Sequence, residues 1–339
     1  MEDTALYRPA LKGAWQITKR LKNLWFFGLF AAIIGSSGEY EILASAIYNP
    51  YNIHGIFTDI IDSFKAGWQN GLNAGNGFLS NLWGAITQSP QSLIIAGLIM
   101  IVAIIVTIFI IWLAVISQIG LIKNSELASK KKTPTLNDGI NYALDRFWPV
   151  LTANIVFKVV LSVLFLIIGK EIILLSNPNI LSKLLYYLSF MIFIAIIFVI
   201  SFIIRYQIFY IVLKKQKLMS SFSSAWSLFK KNWLVSLEMA FILFLIYVIV
   251  IFFTTLISTL LLAVPFVLPV YYSIPLWLAG GISIVALLLL LILTLAVTAV
   301  LSTFQWLAWI IIFNQLDSSM GLSKIIRVSQ KLPEYFKKS

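Results

Sequence analysis

The chain has 339 residues, of which 60% are hydrophobic and only 11% are charged, and its mean hydropathy is +0.95. Soluble globular domains carry about 25% charged residues, so this composition excludes a water-soluble protein and predicts an all-α polytopic membrane helical bundle. The absence of cysteine excludes disulfides, thiolate metal sites and cysteine nucleophiles. The net charge of +12 is typical of basic residues that flank membrane spans, so we expect no nucleic-acid partner.

Six apolar segments are candidates to cross a bilayer, which takes about 20 apolar residues in helical form. The first segment is the shortest. The last would be about 57 Å long, nearly twice the thickness of the hydrocarbon core, so we expect it to tilt, protrude or break near Gly280-Gly281 or Asn314. In chain order the predicted spans are 24–38, 92–122, 147–168, 184–212, 233–264 and 276–313.

The distribution of lysine and arginine predicts the orientation of these spans. With six crossings, 21 of the 25 basic residues lie on one side, Lys65, Lys170 and Lys183 lie on the other, and Lys158 lies inside a span. Basic residues concentrate on the cytoplasmic side, so we expect both termini in the cytoplasm and the protein in a prokaryotic plasma (inner) membrane. The start of the chain lacks the pattern of a cleavable signal peptide, and we expect the first span to be retained.

The segment 39–91 is predicted to be a large extracytoplasmic loop. Between Phe57 and Leu72 its apolar residues follow helical spacing with polar residues between them, which predicts an amphipathic helix on the outer interface or capping the bundle. The single histidine, His54, also lies in this loop, and one ligand does not make a metal site.

A basic segment precedes the first, third and fifth spans, and a related segment follows the sixth. Each contains two large apolar residues four positions apart, as expected for an amphipathic helix on the cytoplasmic leaflet that turns into the bilayer. We name these the elbow segments, at 8–23, 135–147, 220–232 and 321–332. Their predicted membrane-surface anchors are Trp15, Trp148, Trp226, Trp233, Lys230 and Lys231. Anionic lipids of the cytoplasmic leaflet are therefore the expected partners.

The start of the second elbow segment has a helix-capping signal. Thr135 and Asp138 have the spacing of a capping box, directly after Pro134. Three hairpins with an elbow segment in front of each are consistent with an internal threefold repeat, although any helix at the inner leaflet would show a similar pattern.

Elbow sequences such as FKKNW before alternate spans, in a six-span chain with both ends inside, resemble a known membrane domain. That domain is attached to some bacterial glycerophosphodiester phosphodiesterases and also occurs in stand-alone proteins. The resemblance covers most of the chain. The histidine and metal-binding carboxylates of the phosphodiesterase barrel are absent here, so the resemblance implies an architecture and no catalytic residues.

Three ionisable residues fall inside predicted spans, where charges are costly and often functional. Arg205 and Glu238 lie about 12 and 8 Å from the cytoplasmic ends of consecutive spans, so an ion pair between them is plausible. Lys158 lies about 16 Å into the third span, one turn from Asn154. One interpretation is a structural Arg–Glu clamp. The other is a charged cavity open to the cytoplasm with Lys158 at its floor.

The sequence contains no Walker A, GxSxG or HExxH motif and no pair of carboxylates within the spans. We therefore expect no enzymatic activity, cofactor or metal. The leading functional prediction is a non-enzymatic membrane module that binds lipid or a membrane or cytoplasmic protein partner. The alternative is a transporter or permease component with a cytoplasm-facing polar cavity around Lys158, Arg205 and Glu238.

Overall fold

The computed structural model describes residues 6–34, 90–174, 180–272 and 275–318, together with Asn73 and Gly77. Within these ranges the chain forms seven α-helices and no strand, which confirms the predicted all-α class. The helices are α1 (Tyr7–Arg20), α2 (Asn23–Ile34), α3 (Pro90–Ser129), α4 (Leu136–Leu174), α5 (Ile180–Leu213), α6 (Leu218–Tyr272) and α7 (Leu276–Asp317). The amphipathic helix predicted in the 39–91 loop, His54 and the fourth elbow segment lie outside the described residues.

Among the described residues, five helices are long and apolar enough to cross a membrane. They are Gly97–Ser129, Leu136–Leu164, Met191–Leu213, Leu218–Pro265 and Gly280–Asp317. The described part of the first predicted span, α2, is also apolar, but its 12 residues extend only about 18 Å, short of the ~30 Å hydrocarbon core. By the length and composition of its helices, the chain is a multi-pass membrane protein.

The long helices combine an exposed apolar part with a buried part, and α3 shows this most clearly. Its 40 residues extend about 60 Å, twice the thickness of the hydrocarbon core. The large apolar side chains between Leu98 and Trp112 are exposed, whereas those between Ala114 and Ile122 are buried. An exposed apolar surface of this length is not tolerated in water, so we assign the first part to lipid and the second to protein packing.

The sixth predicted span is one uninterrupted helix. α7 continues through Gly280 and Gly281 and ends at Asp317, so the break expected at the glycine pair does not occur. Its 42 residues extend about 63 Å, and the excess length over the hydrocarbon core is accommodated without a kink at the glycines. Many of its apolar side chains between Leu278 and Leu295 are exposed, and those between Phe304 and Leu316 are largely buried.

The chain divides into two compact units. The first contains the described residues within 1–36, 114–151 and 202–339, and the second contains those within 37–113 and 152–201. Helices α1, α2, α6 and α7 therefore belong entirely to the first unit. Of the predicted intramembrane residues, Arg205 and Glu238 belong to the first unit, and Asn154 and Lys158 belong to the second.

The three described elbow segments take different forms. The first forms α1 and ends at a break, where Leu21 has φ −111° and ψ 78° and α2 begins at Asn23. The second is continuous with the following span, because α4 runs without interruption through Pro149. The third and its span form α6, whose backbone departs from helical geometry at Asn232 (φ −128°, ψ 29°). The position of these segments on the cytoplasmic surface stays a prediction.

The capping box at the start of α4 is confirmed. The backbone amide and hydroxyl of Thr135 donate hydrogen bonds to Asp138 Oδ2 at 2.9 and 2.8 Å, and the Asp138 amide donates to Thr135 Oγ1 at 3.2 Å. This reciprocal arrangement satisfies amides that the helix itself leaves without partners. Asn124 of α3 also donates to the Thr135 carbonyl at 2.9 Å, which fixes the connection between α3 and α4.

Candidate functional site: a groove beside the first elbow helix

Helix α1 has a buried face and a neighbouring exposed, basic face. Its buried residues recur every three or four positions and are Tyr7, Ala10, Ala14 and Thr18. Four of its exposed residues, Arg8, Lys12, Trp15 and Lys19, are spaced four, three and four positions apart. This spacing returns to one side of a helix, and we call these four residues the basic stripe. The buried face can therefore pack on the bundle while the basic stripe stays accessible.

Contacts with α6 and α7 fix the position of α1. The Tyr7 hydroxyl donates a hydrogen bond to a carboxylate oxygen of Glu238 on α6. The ring of Trp15 meets Phe304 of α7 edge-to-face, with 6.0 Å between the ring centroids. The indole nitrogen of Trp25 in α2 donates to the Thr18 carbonyl at 2.9 Å, so α1 and α2 hold each other across their break.

Helix α2 packs closely along α7. The hydroxyl of Thr303 is 2.7 Å from the Ala299 carbonyl oxygen of its own helix and 3.2 Å from the Leu24 carbonyl oxygen of α2. Gly28 lies against the same place, since a Cβ atom built there would lie 2.5 Å from the Ala299 oxygen. Small residues at a crossing allow two membrane helices to approach this closely.

Helices α1, α2, α6 and α7 leave an apolar groove of about 720 Å³ between them. Lys12 is the one charged residue among the lining residues, and its aliphatic stem is what lines the groove, because the groove surface is almost entirely apolar. The other lining residues are Leu11 and Trp15 of α1, Trp25 of α2, Ile246 and Val250 of α6, and Ala296, Val297, Val300, Leu301 and Phe304 of α7. The lining from α6 and α7 belongs to stretches that are apolar enough to cross a membrane.

The groove has a basic end and an apolar end. Phe304 marks the basic end, where it contacts Trp15 of the basic stripe. Ala296 lies eight residues earlier on the same helix, about 12 Å away along the helix axis. Lys12 and Trp15 are one turn apart on α1, so the charge and the aromatic ring lie together. The geometry suits a molecule with a polar end and an apolar tail.

Arg205 lies in a separate, buried environment within the first unit. Its side chain is only 4% exposed, and its guanidinium carbon lies 4.4 Å from the ring centroid of Trp309 on α7. Cation–π contacts of this kind contribute about 2 kcal/mol when they are desolvated. The next residue, Tyr206, is fully buried, and its hydroxyl is 2.7 Å from Ser236 Oγ. Arg205 is therefore part of an aromatic packing cluster between α5 and α7.

The structure gives the predicted intramembrane residues different surroundings. Glu238 is half-buried and accepts the hydrogen bond from Tyr7, while Arg205 stacks on Trp309. The ion pair between Arg205 and Glu238 stays a prediction. In the second unit, Asn154 is buried and Lys158 is exposed. Tyr7 could not be predicted as a partner of Glu238 from the sequence, because the two residues are 231 positions apart.

The predicted anchors of the elbow segments lie at the protein surface. The exposed fractions are 45% for Trp15, 48% for Trp226, 54% for Trp233 and 72% for Trp148. Lys230 and Lys231 are exposed as well. Contact with membrane lipid stays a prediction for all six. Trp15 also lines the groove, a role that its spacing in the sequence did not reveal.

Comparisons with known proteins add no further assignment. No protein-family model, curated protein or solved structure matches the chain. The resemblance to the membrane domain of glycerophosphodiester phosphodiesterases therefore stays an expectation based on the elbow segments. Within the described part of the chain, no group of three or more histidine, aspartate or glutamate residues could hold a metal ion.

Proposed function

We propose that the chain is a non-enzymatic integral membrane module that binds a lipid, with one acyl chain in the groove beside α1. The observation that supports this proposal is the groove itself, a space of about 720 Å³ with a nearly uncharged lining. Sites for small molecules in proteins commonly measure about 300–1,000 Å³ and are mostly apolar. The acyl chains of the bilayer are the most abundant apolar groups around membrane-spanning helices such as α6 and α7.

Physical chemistry also favours an occupied groove. An empty apolar space removes the dispersion contacts of the side chains that line it. Val300 and Ile246 are lining residues whose contacts an acyl chain would restore. A polar ligand would lose its hydration in this lining without gaining hydrogen bonds. Lipid is therefore the occupant that best suits the groove.

The proposal is tested by filling the groove with a larger side chain. We expect Val300→Trp to reduce the lipid that remains bound to the purified full-length chain by about tenfold, which corresponds to ~1.4 kcal/mol. Extraction of the purified protein and mass spectrometry of the lipids would give the amount retained per chain.

A matched control is Val285→Trp, on the same helix but outside the groove, at an exposed position. This variant should retain as much lipid as the unmodified chain. Equal lipid retention by the two tryptophan variants would contradict the proposal.

The alternative function, transport through a polar cavity, requires Lys158, Arg205 and Glu238 to line an open space. Arg205 is instead packed against Trp309, and Glu238 accepts a hydrogen bond from Tyr7. These contacts support the lipid-binding proposal over transport.

We also propose that the elbow segments face the cytoplasm in a prokaryotic inner membrane, because of their basic residues.

A further inference from the structure

The basic stripe beside the groove indicates which class of lipid would bind. We infer that the ligand is an anionic glycerophospholipid, with its phosphate-containing headgroup at Lys12 and Lys19 and one acyl chain in the groove. This inference rests on the proposed function, which it extends from lipid in general to one headgroup class.

The two lysines flank Trp15 on the surface of α1. Lys12 precedes Trp15 by three residues and lines the groove, and Lys19 follows Trp15 by four residues. The Lys19 ammonium lies 5.2 Å from the centroid of the Trp15 ring. Because Trp15 also lines the groove, the Lys19 ammonium lies near its basic end. The stem of Lys12 lines the groove, and its flexible end can reach a headgroup at the same place. A headgroup located there would be close to two positive charges.

The charge of the basic stripe is not balanced within its own helix. All of α1 is described, and it contains Arg8, Lys12, Lys19 and Arg20 but no acidic residue. The carboxylate of Glu238 meets α1 through Tyr7, which belongs to the buried face rather than to the basic stripe. An anionic headgroup would supply negative charge beside α1 and accept charge-assisted hydrogen bonds from the ammonium groups.

Groove and stripe together exclude simpler ligands. A free phosphate would contact the ammonium groups but leave the apolar lining near Ala296 and Val297 uncovered. A zwitterionic lipid would fill the groove, but the positive group of its headgroup would lie close to Lys12 and Lys19. An anionic phospholipid satisfies both the charge at the basic end and the apolar lining about 12 Å farther along α7.

Contacts at both ends of α1 prepare this site for binding. The hydrogen bond between Tyr7 and Glu238 holds the start of α1, and the bond between Trp25 and Thr18 holds its last turn. The basic stripe is thereby fixed relative to α7 before any ligand arrives. A preformed site loses less conformational entropy on binding than a flexible one.

The test compares two lipids that differ in headgroup charge. The full-length chain is reconstituted in nanodiscs that contain equal amounts of phosphatidylglycerol and phosphatidylcholine, and native mass spectrometry identifies the lipid that stays bound. We expect the unmodified chain to retain phosphatidylglycerol about tenfold more than phosphatidylcholine, and inorganic phosphate not to displace it. Displacement by inorganic phosphate would contradict the inference.

The deciding variant is Lys12→Gln/Lys19→Gln. It should bind the two lipids without preference while it still retains lipid. The charge-preserving Lys12→Arg/Lys19→Arg variant should keep the preference for phosphatidylglycerol. Lys132→Gln/Lys217→Gln removes the same charge at exposed positions outside both the groove lining and the elbow segments, and should also keep it.

The outcomes separate the inference from the proposed function. If Lys12→Gln/Lys19→Gln keeps the full preference, the headgroup inference is overturned, and lipid binding in the groove is unaffected. If the unmodified chain retains neither lipid, or if Val300→Trp retains as much as the unmodified chain, the proposed function itself fails and the inference fails with it.

Discussion

At Gly28 the absence of a side chain lets the backbone of α2 lie directly against α7. A Cβ atom there would lie 2.5 Å from the Ala299 carbonyl oxygen and 3.1 Å from the Thr303 amide nitrogen. Backbone atoms cannot move aside as the end of a flexible side chain can. Since lipid tails are as apolar as the helices, helix association in a membrane depends on close packing of this kind. Gly28 thereby keeps one side of the groove in place.

We therefore expect Gly28→Ala to lower the free energy of unfolding by about 1–3 kcal/mol, because the added methyl group forces α2 away from α7. Unfolding in a gradient of sodium dodecyl sulfate, followed by circular dichroism, would measure the loss. Gly97→Ala on α3 is the matched control, since a Cβ there would have no atom within 4 Å. An equally large loss in Gly97→Ala would contradict the packing argument.

Individual residues also show how far the sequence allowed the site to be predicted. Arg205 stood out because a charge within an apolar run is rare. Its contact with Trp309 could not be predicted, because the tryptophan is about 100 residues away in a helix with no polar face to orient it. The predicted capping box of Thr135 and Asp138 was confirmed, because both partners lie within one turn.

Helix α1 connects the basic stripe to the bundle through its buried face. The pattern of apolar and basic residues predicted an elbow segment at 8–23, and the structure has a helix at Tyr7–Arg20. The contacts that hold this helix in place involve residues distant in sequence, including Glu238 and Phe304. Of these contacts, the hydrogen bond from Tyr7 is the simplest to remove without changing the shape of the side chain.

We expect Tyr7→Phe to loosen α1, because the half-buried carboxylate of Glu238 loses a hydrogen-bond donor. Hydrogen bonds to charged groups contribute about 1.5–3 kcal/mol, so opening of α1 should become at least tenfold more frequent. Hydrogen exchange of the α1 amides, measured by mass spectrometry, would detect this change.

The conservative control is Glu238→Gln, which keeps a carbonyl oxygen as acceptor for the Tyr7 hydroxyl. Its effect on amide exchange in α1 should be the smaller of the two. Unchanged exchange in Tyr7→Phe would show that the bond does not hold α1 in place.

The groove could not be predicted from the elements one at a time. The spacing of residues on α1 predicted Trp15 as a surface residue, but no pattern in the sequence connects it with Val300. Helix α7 is apolar around its whole circumference over much of its length, so no periodicity indicates which face meets α1 and α2. The groove depends on how four helices cross, and the residues that line it lie between positions 11 and 304 of the sequence.

At the scale of the whole molecule, the helices are longer than a membrane is thick. Both α3 and α7 exceed 55 Å and change from exposed apolar to buried residues along their length. The buried part of each lies next to connections or ends that carry lysine, including Lys130 and Lys214. We interpret the buried parts as the cytoplasmic side of the protein, which agrees with the distribution of basic residues.

This orientation can be measured directly, because the chain contains no cysteine and any introduced thiol is unique. Lys231 is exposed in the third elbow segment, and we expect Lys231→Cys to react with a membrane-impermeant maleimide only in inside-out vesicles. Lys65→Cys, in the predicted extracytoplasmic loop, should react only in intact cells. Ile101→Cys, on the exposed apolar part of α3, should react in neither preparation, because a polar reagent does not enter the hydrocarbon core. Labelling of Lys231→Cys from outside intact cells would contradict the predicted orientation. The basic stripe and its proposed lipid would then lie on the opposite leaflet.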